Sequence, residues 1–325
     1  MNVLVTGGTG FIGRWLIKEL VKNNQYNVTM LIRNGKKETV NADNVTVYEV
    51  DYQKEELQNY FKGQDICIHL IGKLGGYGVD KHEFDFVNIE LTKKILIACK
   101  DMGVKQFIYC STPGVQGFGR RLALETDEYN PRNDYERTKM IAEKEIIKFC
   151  SKEELVYTII RPDFVYGPGD TRRVKLYKNI EKRRFILTTN GKSYIHPTYI
   201  TDVVQGLIKP IGNEAAYNEI FNISALEDVT AKTYLSTIAK YTNSKLIHIN
   251  ISYVFSIILA GFLEIVFSCI FHKEAFVTKN KIDFLALDHS TSSEKAMQLL
   301  DYKPTVSLDE GMRRTIDWCK ENKLM

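Results

Sequence analysis

The chain has 325 residues, enough to bury a substantial core as one large α/β unit or as a domain with an appendage. Its 44 basic and 40 acidic side chains leave a net charge of only +4, and the lysines are scattered, so no nucleic-acid partner is expected. The six cysteines, Cys67, Cys99, Cys110, Cys150, Cys269 and Cys319, show no Cys-x-x-Cys spacing and mostly sit in apolar runs, which reads as reduced, buried thiols in a cytoplasmic protein.

Val3, Leu4 and Val5 form a short β-branched run that predicts a buried parallel strand. It begins so early that no signal peptide is expected ahead of it. Gly7, Gly10 and Gly13 follow at every third position, and an amphipathic stretch from Arg14 to Lys22 predicts a helix. A strand that turns through glycines into a helix sets free backbone N–H groups and a positive helix end beside a phosphate. Gly7 permits the tight turn, Gly10 the approach of a pyrophosphate, and Gly13 close helix–strand packing. This pattern points to dinucleotide binding.

Residues 26–33 read as the second strand. Arg33 lies twenty positions beyond Gly13, where an NAD enzyme normally offers a carboxylate to the ribose 2′-hydroxyl. An arginine there pairs instead with a 2′-phosphate, which favours NADP and leaves NAD open. Residues 45–51 form the third strand, with Asp51 and Tyr52 at its end placed to flank an adenine. Residues 65–72 read as the fourth strand, with Gly72 letting the backbone pass close to the cofactor. His69 inside this run is expected to be a core histidine, since no partner has metal-ligand spacing with it. A helix is predicted over residues 85–100 with Asn88 near its start, then a fifth strand over 107–110 ending in Ser111 and Thr112. Strands alternating with helices predict a doubly wound parallel sheet.

Pro131, Asn133 and Asp134 mark a helix entrance, and Tyr135 and Lys139 share a face of the helix that follows. A nearby ammonium favours the phenolate, so Lys139 is expected to lower the pKa of Tyr135 and make it a usable acid/base.

The ordered landmarks together resemble those of the extended short-chain dehydrogenase/reductases of the NAD-dependent epimerase/dehydratase family. They are Thr6-Gly-Gly-Thr-Gly-Phe-Ile-Gly13, His69-Leu-Ile-Gly72, Asn88, Ser111-Thr112, Tyr135-x-x-x-Lys139, Arg161-Pro-x-x-Val-Tyr-Gly-Pro-Gly169 and the tail from Ser293 to Trp318. The resemblance implies a Rossmann-type doubly wound sheet over residues 1–165 and a smaller C-terminal substrate-binding region over 166–325, with some segments returning to the sheet. It implies an NAD(P) site made by Gly7, Gly10, Phe11, Ile12, Gly13, Arg33, Asp51, Tyr52, Leu70, Gly72, Asn88, Tyr135, Lys139 and Pro162. Catalysis would fall to Thr112, which holds the substrate oxygen, to Tyr135 as acid/base, and to Lys139 on the nicotinamide ribose. A homodimer acting on a small-molecule substrate is expected.

The departures from the family pattern narrow the chemistry. Pro113 and Gly114 stand where the dehydratases carry an acidic pair. Phe164 replaces the asparagine that nucleotide-sugar enzymes commonly use, and Ile195 stands in place of their arginine. Arg172, Arg173, Arg183 and Arg184 read as a solvated surface, with compensation for those lost contacts as the alternative. The reading is an oxidoreductase acting at a secondary alcohol or ketone, with a sterol- or lipid-like substrate left open. A nucleotide-sugar epimerase is the first alternative and a non-catalytic dinucleotide-binding protein the second. Residues 251–271 are almost wholly apolar. Twenty-one helical residues would span roughly 30 Å, yet the family-like tail beyond must return to the same body. A buried lid or oligomer helix over a pocket opened by Phe164 and Ile195 is therefore expected, with a membrane-surface helix and a true span as alternatives.

Overall fold

The computed structural model describes all residues except 36–39, 41, 76, 77, 274 and 276. Seven parallel strands make the main sheet: β1 (Asn2–Thr6), β2 (Asn27–Arg33), β3 (Val45–Val50), β4 (Ile66–His69), β5 (Gln106–Cys110), β6 (Val156–Pro162) and β7 (Glu219–Ile223). Their order across the sheet is β3-β2-β1-β4-β5-β6-β7. The inner strands are apolar on both faces: Val3, Leu4, Val5, Phe107, Ile108 and Tyr109 are fully buried. That continuous burial is what a parallel sheet covered by helices on both sides requires. The edge strand β3 alternates in exposure instead.

The strand order reverses between β1 and β4, and the crevice beyond the carboxyl ends of such strands is where ligands bind in open α/β sheets. Two predicted boundaries move. The fourth strand stops at His69, and the helix forecast from residue 85 starts at Lys81, where the Asp80 side chain accepts a bond from the His82 N–H. Between Lys81 and Asp101 the helix passes through one π-turn, Phe86–Glu90.

Beyond residue 166 the chain both returns to the sheet, as β7, and builds outward. The helix Ile200–Ile208 packs on the helix Phe11–Val21, and the helices Ala231–Tyr241 and Leu308–Glu321 pack on each other. The apolar segment forms one helix, Tyr253–Phe271, with the helix Lys279–Ala286 packed against it. Only Ser256 and Ala260 of its residues are buried, so it is not the covered lid that composition suggested. Among the described residues, no protein layer lies over its outer side.

Candidate active site

The glycine turn is built as the spacing predicts. Gly7 takes φ +77°, and a Cβ there would stand 2.9 Å from the Ile71 nitrogen. A Cβ on Gly13 would overlap the Gly7 carbonyl oxygen, so only glycine lets the helix sit this close to β1. Gly10 begins the helix Phe11–Val21 with no side chain capping it. The first-turn N–H groups, from Phe11, Ile12 and Gly13, therefore face the crevice without a side-chain acceptor. Leu70 N donates to Thr6 O at 3.1 Å, which seats the loop after β4 beside this turn. These are the features a dinucleotide pyrophosphate needs, and the cradle fits that group.

Around the turn the remaining positions differ in how free they are. Arg33 is exposed at the end of β2, and no hydrogen bond or ion pair holds its guanidinium among the described residues. The Asp51 carboxylate accepts the N–H groups of Gln53 and Lys54, at 3.0 and 3.3 Å. Tyr52 is buried with its hydroxyl donating to Leu31 O at 3.0 Å. Asn88 is buried in the π-turn: its Oδ1 accepts Lys73 N at 2.7 Å, and its Nδ2 donates to Lys73 O and to Thr138 Oγ1 at 3.2 and 2.9 Å. Asn88 thus clamps the loop after β4 to the helix that carries Tyr135. Gly72 lies against both, its Cβ position 3.6 Å from Asn88 Oδ1 and 3.7 Å from Lys139 Nζ. Pro162 closes β6 in register with Ile223. His69 is the core histidine expected, its ring bonded to Thr6 and Thr92 at 2.6 and 3.1 Å and its pKa pushed down to about 3 by burial.

The helix Asp134–Glu153 presents Tyr135 and Lys139. Asn133 caps it, its side chain accepting Glu136 N at 2.9 Å. Tyr135 and Thr112 line the same cavity, and the Thr112 Oγ1 accepts Gly114 N at 3.2 Å. Lys139 Nζ donates to Cys110 O at 2.7 Å and lies 4.1 Å from the centre of the Tyr109 ring. Burial pushes the Lys139 ammonium down to about 8, with the Cys110 and Glu143 side chains drawing it partly back.

One expectation is corrected here. Tyr135 is raised above its usual pKa, by burial first and by Cys110 second, and Lys139 is not what opposes this. The opposing influences are the Arg172 guanidinium and the Thr112 hydroxyl. The helix periodicity puts Lys139 on the right face, but its charge is aimed at the end of β5.

Thr112 and Tyr135 open onto a cavity of ≈ 1200 Å³ whose lining includes Phe164, Arg172, Arg173, Tyr234, Phe267 and Phe284. The Phe164 ring packs on Tyr234 and Phe284 with centres 5.1 and 4.8 Å away, and Phe284 packs on His289 at 4.5 Å. Ile195, expected at this wall, instead lies fully buried in the core, paired with Val229. Arg183 and Arg184 are exposed and outside the cavity lining, as the surface reading has it. Arg172 and Arg173 do line the cavity, and both pair with the buried Asp170, at 2.8 and 3.2 Å. The sequence reading missed Thr138 and the wall residues Tyr234, Phe267 and Phe284. Thr138 had a weak signal, three residues past Tyr135, and Phe267 lay within the apolar run expected over the pocket; Tyr234 and Phe284 had none.

This sheet, glycine turn and Thr–Tyr–Lys arrangement define an enzyme of the extended short-chain dehydrogenase/reductase type that binds a nicotinamide dinucleotide. The chain belongs to the NAD dependent epimerase/dehydratase family, whose family model matches residues 3–224. It is 26% identical to the 3beta-hydroxysteroid-dehydrogenase/decarboxylase isoform 1 of Arabidopsis thaliana, over 97% of this chain and 78% of that protein. It is also 26% identical to the decarboxylating sterol-4-alpha-carboxylate 3-dehydrogenase of Mus musculus, over 96% and 89%. In fold it matches UDP-glucuronic acid 4-epimerase from Bacillus cereus, solved with UDP-glucuronic acid and NAD, with a TM-score of 0.80 and 23% identity over 99% of this chain and 100% of that one.

Proposed function

We propose that this protein uses Thr112, Tyr135 and Lys139 to oxidise or reduce a secondary alcohol or ketone carbon of a largely apolar substrate, with NADP as its preferred cofactor. When bound, the nicotinamide supplies or accepts the hydride. The paired hydroxyls of Thr112 and Tyr135 hold the substrate oxygen. Tyr135 gives its phenolic proton to that oxygen as a ketone is reduced and takes it back when the alcohol is oxidised. Its raised pKa keeps the phenol protonated at neutral pH, ready to donate. Lys139, with one proton on Cys110 O, keeps two for the ribose hydroxyls.

The observation that carries the substrate class is the aromatic wall of Phe164, Tyr234 and Phe284 around the cavity beyond Tyr135. A diphosphate laid along it would lose water without gaining partners, at a cost of a few kcal/mol per polar group. A second feature adds an acidic substituent to that apolar body. Arg172 and Arg173 share the single carboxylate of Asp170, which leaves a surplus positive charge on the wall near Tyr135. The Mus musculus relative is named for a substrate of that kind, a sterol carboxylate.

Cofactor preference rests on the uncommitted guanidinium of Arg33. A ligand-dependent thermal-shift series tests the reading. NADP should raise the melting midpoint at lower concentration than NAD, and Arg33→Asp should weaken NADP by about 2–3 kcal/mol while sparing NAD. With NADP present, a hydroxysteroid carboxylate should raise the midpoint further and be turned over. Micromolar, saturable binding and turnover of UDP-glucose or UDP-glucuronic acid would overturn the substrate class in favour of an epimerase.

A further inference from the structure

The helix Tyr253–Phe271 has a mean hydropathy of 2.4 over its 18-residue core, and only 11% of that stretch is buried. Val254, Ile258, Phe262, Ile265 and Ile270 are each more than 60% exposed. At 100° per residue, the exposed apolar positions from Val254 round to Ile270 sweep about 160° of the helix circumference. A helix packed on one protein partner needs a stripe of about 100°. An arc this wide, without a charge on it, fits a fluid apolar medium better than a second copy of the chain. The helix carries one carboxylate, Glu264, and it is turned inward, accepting Lys279 N at 3.1 Å.

The helix is nonetheless tied to the body at both ends. Just before it, Ile251 N donates to Thr188 O, and the Tyr253 hydroxyl donates to Asp283 at 2.7 Å. Just after it, Ala275 is buried and the helix Lys279–Ala286 packs back along it. A single crossing of a bilayer would separate these two anchors, so the helix has to lie in the plane of a surface.

Cations flank the apolar arc. Lys182, Arg183 and Arg184 are exposed, with no ion pair among the described residues. They precede the strand Ile186–Leu187, which pairs with Ile247–His248 directly ahead of the helix. Exposed Ile186 and Ile249 extend the apolar surface there, and exposed Lys273 follows the helix at its other end.

We propose that the helix Tyr253–Phe271 embeds lengthwise in one leaflet of an anionic lipid bilayer, with Lys182, Arg183, Arg184 and Lys273 at the headgroups. Its inner side, through Glu264 and Phe267, lines the cavity that reaches Thr112 and Tyr135. Embedding therefore sets the cavity's outer wall on the membrane, where an apolar alcohol is dissolved. That last step rests on the substrate class proposed above; the lipid contact itself does not.

Cys269 provides the probe, because it is exposed and the other five cysteines are buried. The whole protein labelled there with an environment-sensitive nitrobenzoxadiazole dye is mixed with phosphatidylcholine vesicles, with and without phosphatidylglycerol. The expected result is a blue-shifted, brighter emission and flotation with the vesicles, stronger with phosphatidylglycerol and weakened by salt. The triple variant Val254→Glu, Ile258→Glu, Phe262→Glu should stay at the bottom of the gradient with its melting midpoint and NADP binding unchanged. Unchanged emission and no flotation of the wild type would overturn the proposal. So would a dimer on size exclusion whose Cys269 resists labelling, which would assign the helix to a second copy. Neither measurement contains substrate, so their failure leaves the substrate test standing.

Discussion

At the scale of single residues, the point of interest is which cation faces the reacting oxygen. Tyr135 and Lys139 share a helix face, yet Lys139 is held on Cys110 O while Arg172 is the charge that pulls on the phenol. Lys139 Nζ lies beside Gly72, 3.7 Å from where its Cβ would stand, and Tyr135 shares the cavity lining with Thr112. Tyr135→Phe removes the transferable proton and nothing that holds the dinucleotide cradle. Turnover should fall by roughly 10²-fold or more while the cofactor dissociation constant changes little. Steady-state rates beside a cofactor fluorescence titration check this, and a variant that turns over normally would remove Tyr135 from the chemistry.

At the scale of elements, the π-turn Phe86–Glu90 is the device that aims Asn88. An extra residue in the turn widens the helix locally, a feature often found at functional sites. Here it delivers one side chain that bonds the loop after β4 and the helix of Tyr135 at once. Asn88→Ala would take from the part-buried Lys73 N–H and C=O their side-chain partner, while Thr138 Oγ1 keeps its bonds to Asp134 O and Tyr135 O. The expected loss is about 1–3 kcal/mol of stability, with weaker cofactor binding because the loop bearing Gly72 is released. Thermal melts and cofactor titration read the two effects separately. An unchanged melting midpoint would show that the clamp contributes nothing.

At the scale of the whole molecule, Asp163 joins the sheet to the C-terminal region. It follows β6, its N–H donates to Ile223 O at 2.8 Å, and its carboxylate accepts both Thr291 N and Thr291 Oγ1, at 3.0 and 2.9 Å. Burial pushes its pKa up to about 7, with the Thr291 bonds opposing. Between the ordinary carboxylate pKa near 4 and about 7, the folded state holds a proton that the unfolded chain has released. Stability from this group therefore falls as pH rises through that window and levels off above it. The effect is bounded at about 4 kcal/mol, at 1.36 kcal/mol per unit. His69 acts in the opposite direction, because its folded pKa near 3 makes stability rise with pH up to its unfolded value near 6.5. The variant comparison isolates Asp163. Asp163→Asn keeps an acceptor for Thr291 and cannot ionise, so its melting midpoint should gain on the wild type between pH 5 and pH 8. A difference between the two proteins that does not vary with pH would refute this assignment.

Much of the fold and site could be read along the chain because the signals were local. An all-apolar strand, a glycine every third residue and a Tyr-x-x-x-Lys pair are decided by backbone sterics and helix periodicity, which act within a few residues. They anticipated β1, the glycine turn and the helix that carries Tyr135 and Lys139, while Asn88 and Thr112 were marked by the family resemblance. Tertiary structure decided what depends on residues far apart. The direction of Lys139 is set by the end of β5, twenty-nine positions earlier, and the influence of Arg172 on Tyr135 by the 3-10 turn Thr171–Arg173, nearly forty positions later. Phe164 became a pocket wall while Ile195 became core, although both are apolar substitutions of the same family pattern. The apolar run before Phe271 shows the limit most plainly: hydropathy prescribes removal from water, but whether protein or another medium does the covering depends on which elements pack over it.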